Sequence, residues 1–194
     1  MLSVGATSPA GFEALAGHWD VVGEQAQLAG LAADRSRWRL AGPMHLAETA
    51  EQARRDVEYG LLDWARYFQQ VGAVPQVQIV GDSTAELIEA VNSEGAGVIG
   101  TPADAVAQIR RLTEQSGGFG CYLLIGHDWA GPEQTARSYE LFARFVMPEF
   151  QGAMDAVRRT RAHSAERFAE LSAAQSAAIA NAKGSYESTR GASA

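Results

Sequence analysis

The first 150 residues alternate between short apolar runs and stretches in which apolar side chains recur every three or four residues. The runs at 1–6, 38–46 and 119–126 predict strands, and the stretches that follow them predict helices. The run at 119–126 is almost continuously apolar, which is typical of a parallel strand covered on both faces. Strands that alternate with helices predict a parallel α/β fold.

Capping signals mark where the helices begin. They are Ser8 with Pro9, Thr49 with Gln52, Ser83 with Glu86, and Thr101 with Pro102 and Asp104. A side-chain oxygen at the cap and a polar side chain three positions later satisfy backbone N–H groups that the first helical turn leaves free. The same logic lets proline occupy the first helical position.

The apolar spacing predicts one continuous helix over 49–71 and another over 132–147 that stops at Pro148. Val98–Ile99 lies among glycines and is too short to predict a strand. Pro43 falls within the second apolar run, where it indicates a bulge or an early strand end, because proline cannot donate to a strand ladder.

Three parallel strands are too few to cover one another. A closed (β/α)8 barrel usually needs ~250 residues, and the ordered part here is predicted to span 1–150, with its first strand starting at Met1. The pattern therefore predicts a fragment whose exposed sheet edges favour association. Residues 151–194 are rich in Ala, Ser, Arg and Glu and predict a helical, partly flexible tail.

Composition narrows the function classes. The net charge of −7 and the pI near 5.1 disfavour binding to nucleic acid or to an anionic membrane surface. No apolar stretch approaches the ~20 residues of a membrane span and no signal peptide is evident, so a cytoplasmic location is expected. The lone Cys121 and four scattered histidines predict no disulfide and no metal site.

Polar residues that follow the strands are the candidate chemistry. His127 and Asp128 come directly after the third run, and an imidazole beside a carboxylate is suited to general base catalysis. His45 ends the second run and is either a proton-transfer group or a core histidine with a satisfied partner. Thr7 and Ser8 follow the first run and form either an anion site at a helix start or a plain helix cap.

Five stretches together resemble the luciferase-like flavin-dependent monooxygenases. They are MLSVGATSPAGF at 1–12, RSRWRLAGPMHLAETAEQAR at 35–54, VIGTPADAVAQIRRL at 98–112, GGFGCYLLIGHDWA at 117–130 and RSYELFARFVMPEFQG at 137–152. Their order and spacing are similar to the carboxy-terminal half of that family, and the resemblance covers nearly the whole chain.

The resemblance implies a partial TIM-like barrel, with 1–6, 38–46 and 119–126 as its sixth, seventh and eighth strands. It implies an enzyme that uses reduced FMN, supplied by a flavin reductase, and O2 to oxidise a small organic substrate. His127, Asp128 and His45 would be the catalytic candidates, and Ser3, Thr7 and Ser8 the cofactor contacts. Strands one to five, which carry the family's main flavin-phosphate contacts, have no counterpart here.

Two alternatives remain open at this stage. The chain is either part of an active monooxygenase or an incompetent truncation product that associates with another half or with itself as a homo-oligomer. A deazaflavin-dependent oxidoreductase of the same superfamily, which transfers hydride without oxygen, is the other alternative, since the residues that distinguish the two cofactors would lie upstream.

Overall fold

The computed structural model describes residues 2–3, 9–72, 79–93, 95–153 and 155–191. The chain divides into two compact units, Met1–Pro148 and Glu149–Ala194. The strands of the first unit are β1 (Leu2–Ser3), β2 (Arg39–Gly42), β3 (Met44–Leu46), β4 (Val98–Gly100) and β5 (Cys121–Leu124). Its helices are α1 (Pro9–Leu28), α2 (Ala50–Asp56), α3 (Leu61–Gln70), α4 (Thr84–Ser93), α5 (Pro102–Ser116), α6 (Pro132–Leu141) and α7 (Met147–Phe150), the last of which crosses the boundary.

The larger sheet has the order β1-β2-β5, and both pairings are parallel. Leu40 is level with Tyr122, and Ala41 is level with Leu123. Parallel strands separated along the chain by helices confirm the α/β class predicted from the sequence.

Helices cover one face of this sheet. Leu40 and Trp38 are fully buried with Leu15 of α1 and Leu112 of α5, and Tyr122 packs against the same cluster. The Trp38 ring also stacks on Trp19 of α1, with 5.2 Å between ring centroids. Because side chains alternate along a strand, Arg39, Ala41 and Leu123 lie on the other face.

The smaller sheet pairs β3 with β4 in parallel. Met44 and Leu46 face a cluster that includes Ala105, Ile109, Leu141 and Val146. Ile99 faces a second cluster, formed largely by α2, α3, α4 and Trp129. Both faces of this sheet are therefore buried by the chain itself, although the sequence did not predict β4 as a strand.

Pro43 separates β2 from β3, so the early strand end predicted there is confirmed. Its carbonyl accepts from Val98 N–H at 3.2 Å, and a side chain on Gly97 would overlap this carbonyl. The chain consequently changes partners at Pro43, from the larger sheet to the smaller one.

Two helix predictions were wrong in their extent. The helix predicted over 49–71 is interrupted by a 3-10 turn at Val57–Tyr59 and by Gly60, since Gly60 N–H bonds to the Trp129 carbonyl. The helix from Pro132 does not stop at Pro148. A π-helical turn at Phe142–Val146 lets Met147 N–H reach the Phe142 carbonyl, which widens the helix just before the proline.

The second unit contains α8 (Asp155–Glu166) and α9 (Phe168–Gly191). Every side chain described in these two helices is exposed. Arg158 forms an ion pair with Glu149 at 2.8 Å within the same unit. Among the described residues, no helix combines the length and the apolar character required to cross a membrane.

Candidate functional site

The ends of two neighbouring strands meet at the candidate site. Met44 opens β3, directly after β2, and His127 lies in the loop after β5. The Met44 carbonyl is 3.2 Å from His127 Nε2. The carboxyl ends of parallel strands share one edge of a sheet, which is where chemistry gathers in barrel folds. The structure therefore places the His127 ring beside the residue that precedes His45.

His127 is held through both of its ring nitrogens. Nε2 bonds to the Met44 carbonyl, and Nδ1 is 3.4 Å from the Trp129 backbone N–H. The ring stacks on Trp129, with 4.1 Å between centroids. Burial is the main cause that lowers the pKa of His127 from 6.5 to about 4, and the neighbouring His45 lowers it further. His127 is thus a neutral ring fixed between two strand ends.

Asp128, the other candidate of this loop, is not a hydrogen-bond partner of the His127 ring. Its side chain is exposed, and neither of the two partners of the His127 ring is a carboxylate. Successive residues of an extended loop point in different directions, which separates the two side chains. The Asp128 backbone instead lies against Gly60, where a Cβ would overlap the Asp128 carbonyl.

The histidine–carboxylate pair that does form is His45 with Asp56. His45 is fully buried on β3, and its Nε2 is 3.2 Å from Asp56 Oδ2 at the end of α2. Gln52 Nε2 donates to Asp56 Oδ1 at 2.5 Å. Burial lowers the pKa of His45, and the Asp56 carboxylate partly opposes that shift. Sequence reasoning missed Asp56 because nothing in the local pattern distinguishes it from the other polar residues of that helix.

Two buried polar atoms near the strand ends have no hydrogen-bond partner among the described residues. They are Nδ1 of His45 and Nε1 of Trp129. Buried polar atoms are almost always hydrogen-bonded in native proteins. These two atoms therefore indicate positions where water or a bound molecule completes the hydrogen bonding.

Asp56 also borders the surface. With Arg55, Tyr59 and residues 131–134 it lines a cleft of about 550 Å³. The exposed fraction of the Asp56 side chain is 9%, against 0% for His45. The carboxylate thus lies between a surface cleft and a buried imidazole.

The predicted cofactor contacts lie at the amino-terminal end of the chain. Ser3 belongs to β1, where its backbone is level with Leu40. Thr7 and Ser8 lie outside the described residues, so their role stays a prediction. Within the described ranges, no group of three or more His, Cys, Asp or Glu side chains is arranged to hold a metal ion.

Two curated proteins show extended sequence similarity to the chain. Limonene 1,2-monooxygenase from Rhodococcus erythropolis is 45% identical over 156 residues, which are 78% of this chain and 38% of that protein. 4-Hydroxyprotoasukamycin monooxygenase from Streptomyces nodosus subsp. asukaensis is 34% identical over 156 residues, or 79% of this chain and 41% of that protein. No protein-family model matches the chain.

Solved structures with a similar fold are also monooxygenases. Monooxygenase RslO1 from Streptomyces bottropensis has a TM-score of 0.53 at 18% identity, over 77% of this chain and 47% of that one. The oxygenating constituent of 3,6-diketocamphane monooxygenase from Pseudomonas putida, a type II Baeyer–Villiger monooxygenase in complex with FMN, has a TM-score of 0.49 at 27% identity, over 71% of this chain and 40% of that one. The former shows that the two chains share an α/β fold.

The two curated relatives identify the family of this chain and show how much of the family's length it spans. Each alignment covers more than three quarters of this chain. The chain spans about two fifths of the length of the relatives it matches. Over that part, the chain belongs to the luciferase-like flavin-dependent monooxygenases.

Proposed function

We propose that this chain is the carboxy-terminal part of a luciferase-like barrel. Together with the missing part, it would form a monooxygenase that uses reduced FMN and O2 to oxidise a small organic substrate. A flavin reductase would supply the reduced FMN. Family membership supports the class of reaction, and the uncovered face of the larger sheet supports the partial barrel.

The uncovered face is the observation that carries the proposal. Leu40 and its helix-covered neighbours are buried. On the opposite side Arg39 and Leu123 are exposed, Leu123 by 39%, while the small Ala41 is 5% exposed. All-parallel sheets occur almost only with both faces covered. In a barrel, side chains from the other strands cover this inner face. We propose that those strands belong to the part of the protein that this chain does not span.

The strand order supports the same conclusion. β1, β2 and β5 are adjacent and parallel, and a helix follows each of them. Consecutive barrel strands have this arrangement. The three strands would be the last three of eight, and β3 and β4 would form an addition at the carboxyl end of the second.

The described residues fit one wall of a flavin site rather than its phosphate grip. Ala41 and Leu123 would exclude water from the barrel interior. The Nε1–H of Trp129, which has no partner among the described residues, would donate to a polar group at the mouth. The bound flavin would supply the electrons that activate O2. His127, held by two backbone contacts, would position the strand ends, and exposed Asp128 would border the mouth. Ser3, Thr7 and Ser8 remain proposed contacts to the cofactor.

Complementation tests this proposal. The chain would be co-expressed with the part of Rhodococcus erythropolis limonene 1,2-monooxygenase that it does not match. Copurification of the two, quenching of FMN fluorescence, and oxidation of limonene by the complex with reduced FMN are expected. The chain alone and a complex that carries Leu123→Asp on the uncovered face serve as controls.

The outcomes separate the alternatives. Tight FMN binding by the chain alone would contradict the absence of the main flavin grip. Copurification without FMN binding would leave the chain as an association partner with no catalytic role. No observation favours a deazaflavin over FMN, and reduced deazaflavin in the same assay is expected to give no product.

A further inference from the structure

The hydrogen bonds around Asp56 fix the proton on His45. Both Asp56 oxygens accept, one from Gln52 Nε2 and the other from His45 Nε2. An ionised carboxylate can only accept hydrogen bonds, so His45 Nε2 carries the proton. In the neutral ring, Nδ1 then presents a free lone pair.

That lone pair lies inside the protein without a donor. His45 has no exposed surface, and Nδ1 has no partner among the described residues. The neighbouring His127 does not offer such a lone pair, because backbone groups contact both of its ring nitrogens. A histidine with a carboxylate on one nitrogen and an open lone pair on the other has the arrangement of a general base.

His45 lies on the side of β3 opposite to Met44 and Leu46. Met44 and Leu46 pack against α5 and α6, with Leu46 N–H also bonded to Ser138 Oγ at 2.8 Å. Alternation along the strand directs His45 to the opposite side, where its neighbour across the sheet is Ile99. The imidazole therefore lies on the side of the cluster formed largely by α2, α3, α4 and Trp129, where Asp56 at the end of α2 contacts it.

Asp56 gives this buried imidazole a connection to solvent. Its carboxylate lines the cleft of about 550 Å³ described above and contacts His45 on the inside. A proton that leaves His45 Nε2 thus has an acceptor that borders bulk water.

We propose that His45 and Asp56 form a proton relay between the surface cleft and a buried binding position at His45 Nδ1, occupied by a hydroxyl donor. The donor is either water or the hydroxyl of a small organic ligand. Its O–H proton passes to Nδ1 while the Nε2 proton passes to Asp56 and then to the cleft. No electrons are exchanged, and the ring returns to its starting tautomer when the protons move back.

The relay depends on the proposed function only for the reaction that it serves. Its parts are all within this chain, and its protonation states are measurable without flavin. His45 would be the proton acceptor, and Asp56 and Gln52 would be positioning residues.

Nitrogen-15 NMR of the histidine rings in the full chain tests the relay. At neutral pH, His45 is expected to be neutral and protonated at Nε2, with Nδ1 unprotonated. In Asp56→Asn, the new amide can donate to Nε2, so the Nδ1–H tautomer is expected to become the major one. Glu133→Gln, which alters another residue of the same cleft, is the matched control and should leave the tautomer of His45 unchanged.

A titration with 2-propanol identifies the hydroxyl donor. A saturable shift of the Nδ1 resonance supports a ligand hydroxyl, and a hydrogen-bonded shift value that 2-propanol does not change supports water. A Nδ1 resonance typical of a nitrogen without a hydrogen bond, with and without 2-propanol, overturns the binding position. An Nδ1–H tautomer or a doubly protonated ring in the unmodified chain overturns the relay and requires no variant. Since none of these measurements involves FMN, a failed flavin test leaves the result for the relay intact.

Discussion

The two sheets of the first unit differ in how completely other residues of this chain bury their faces. In the smaller sheet, Val98 and Ile99 face opposite clusters and are both almost fully buried. Asn92 closes the edge of β4 by bonding to both the N–H and the carbonyl of Ile99. In the larger sheet, by contrast, Leu40 is fully buried while Leu123 is 39% exposed.

The difference lies in which faces of each sheet the chain itself buries. The run at 119–126 has apolar residues on both sides, but helices of this chain cover only the side of Tyr122 and Leu124. On the other side, Leu123 is exposed whereas Ala41 is buried. The smaller sheet is buried on both sides.

The largest expected effect compares a leucine from each sheet. Leu46→Ala would leave a cavity in a core buried on both sides and is expected to lower the free energy of unfolding by about 2–5 kcal/mol. Leu123→Ala should lower it by less than about 1 kcal/mol, because the side chain is already partly in water. Urea unfolding measures both, and equal losses would contradict the difference between the sheets.

Gly120 makes a close backbone contact at the start of β5. A Cβ there would overlap the Ser36 carbonyl, whereas a Cβ on Gly126 would meet nothing within 4 Å. Gly120→Ala is expected to cost about 1–3 kcal/mol through a forced backbone shift. Gly126→Ala, at the other end of the same strand, is the control and should change the unfolding midpoint little.

The histidines at the strand ends predict a pH dependence with a definite sign. The pKa of His127 in the folded chain is about 4, below its ordinary value of 6.5, and that of His45 is also lowered. The unfolded chain therefore binds more protons, so stability is complete above about pH 6.5 and decreases as pH falls towards about 4. Thermal unfolding between these limits should show a smaller slope in His127→Gln than in exposed His163→Gln.

A substitution on the uncovered face of the larger sheet is expected to change self-association while having the smallest effect on stability. The unmodified chain is expected to self-associate through the uncovered face of the larger sheet. Leu123→Lys should shift it towards the monomer with little change in unfolding, since the lysine head group stays in water. Sedimentation velocity measures this, with Val71→Lys, at a 67% exposed site on another surface, as the control. An unmodified chain that is monomeric at all concentrations would contradict the prediction.

Much of the fold could be predicted from local signals. Thr101 caps α5 as predicted, and Asp104 completes a reciprocal capping box with it. Thr49 caps α2 through Gln52 N–H. These signals depend on residues within one turn of each other. The strand at Val98–Gly100 was missed because its stability depends on distant groups, Met44–Leu46 and Asn92.

For the candidate site, the sequence named residues that follow the strands, but it did not predict which side chains contact each other. The sequence named His45 and His127 because each follows an apolar run, and parallel strands align their carboxyl ends; their role in a site stays a prediction. The partner of His45 could not be found in this way, because the contact with Asp56 depends on how α2 returns across β3. Asp128 is next to His127 in the sequence, yet the His127 ring bonds to the Met44 carbonyl of the neighbouring strand instead.

The change of partner at Pro43 has a consequence for how family members can diverge. The chain leaves β3 at Ala47, whose N–H bonds to the Gly100 carbonyl, and returns at Gly97 beside Pro43. The intervening excursion thus starts and finishes about one short strand apart, and its core is shared with Ile99 and Trp129 outside it. Insertions and deletions between these two points are therefore expected at small entropic cost where they keep the contacts with Ile99 and Trp129.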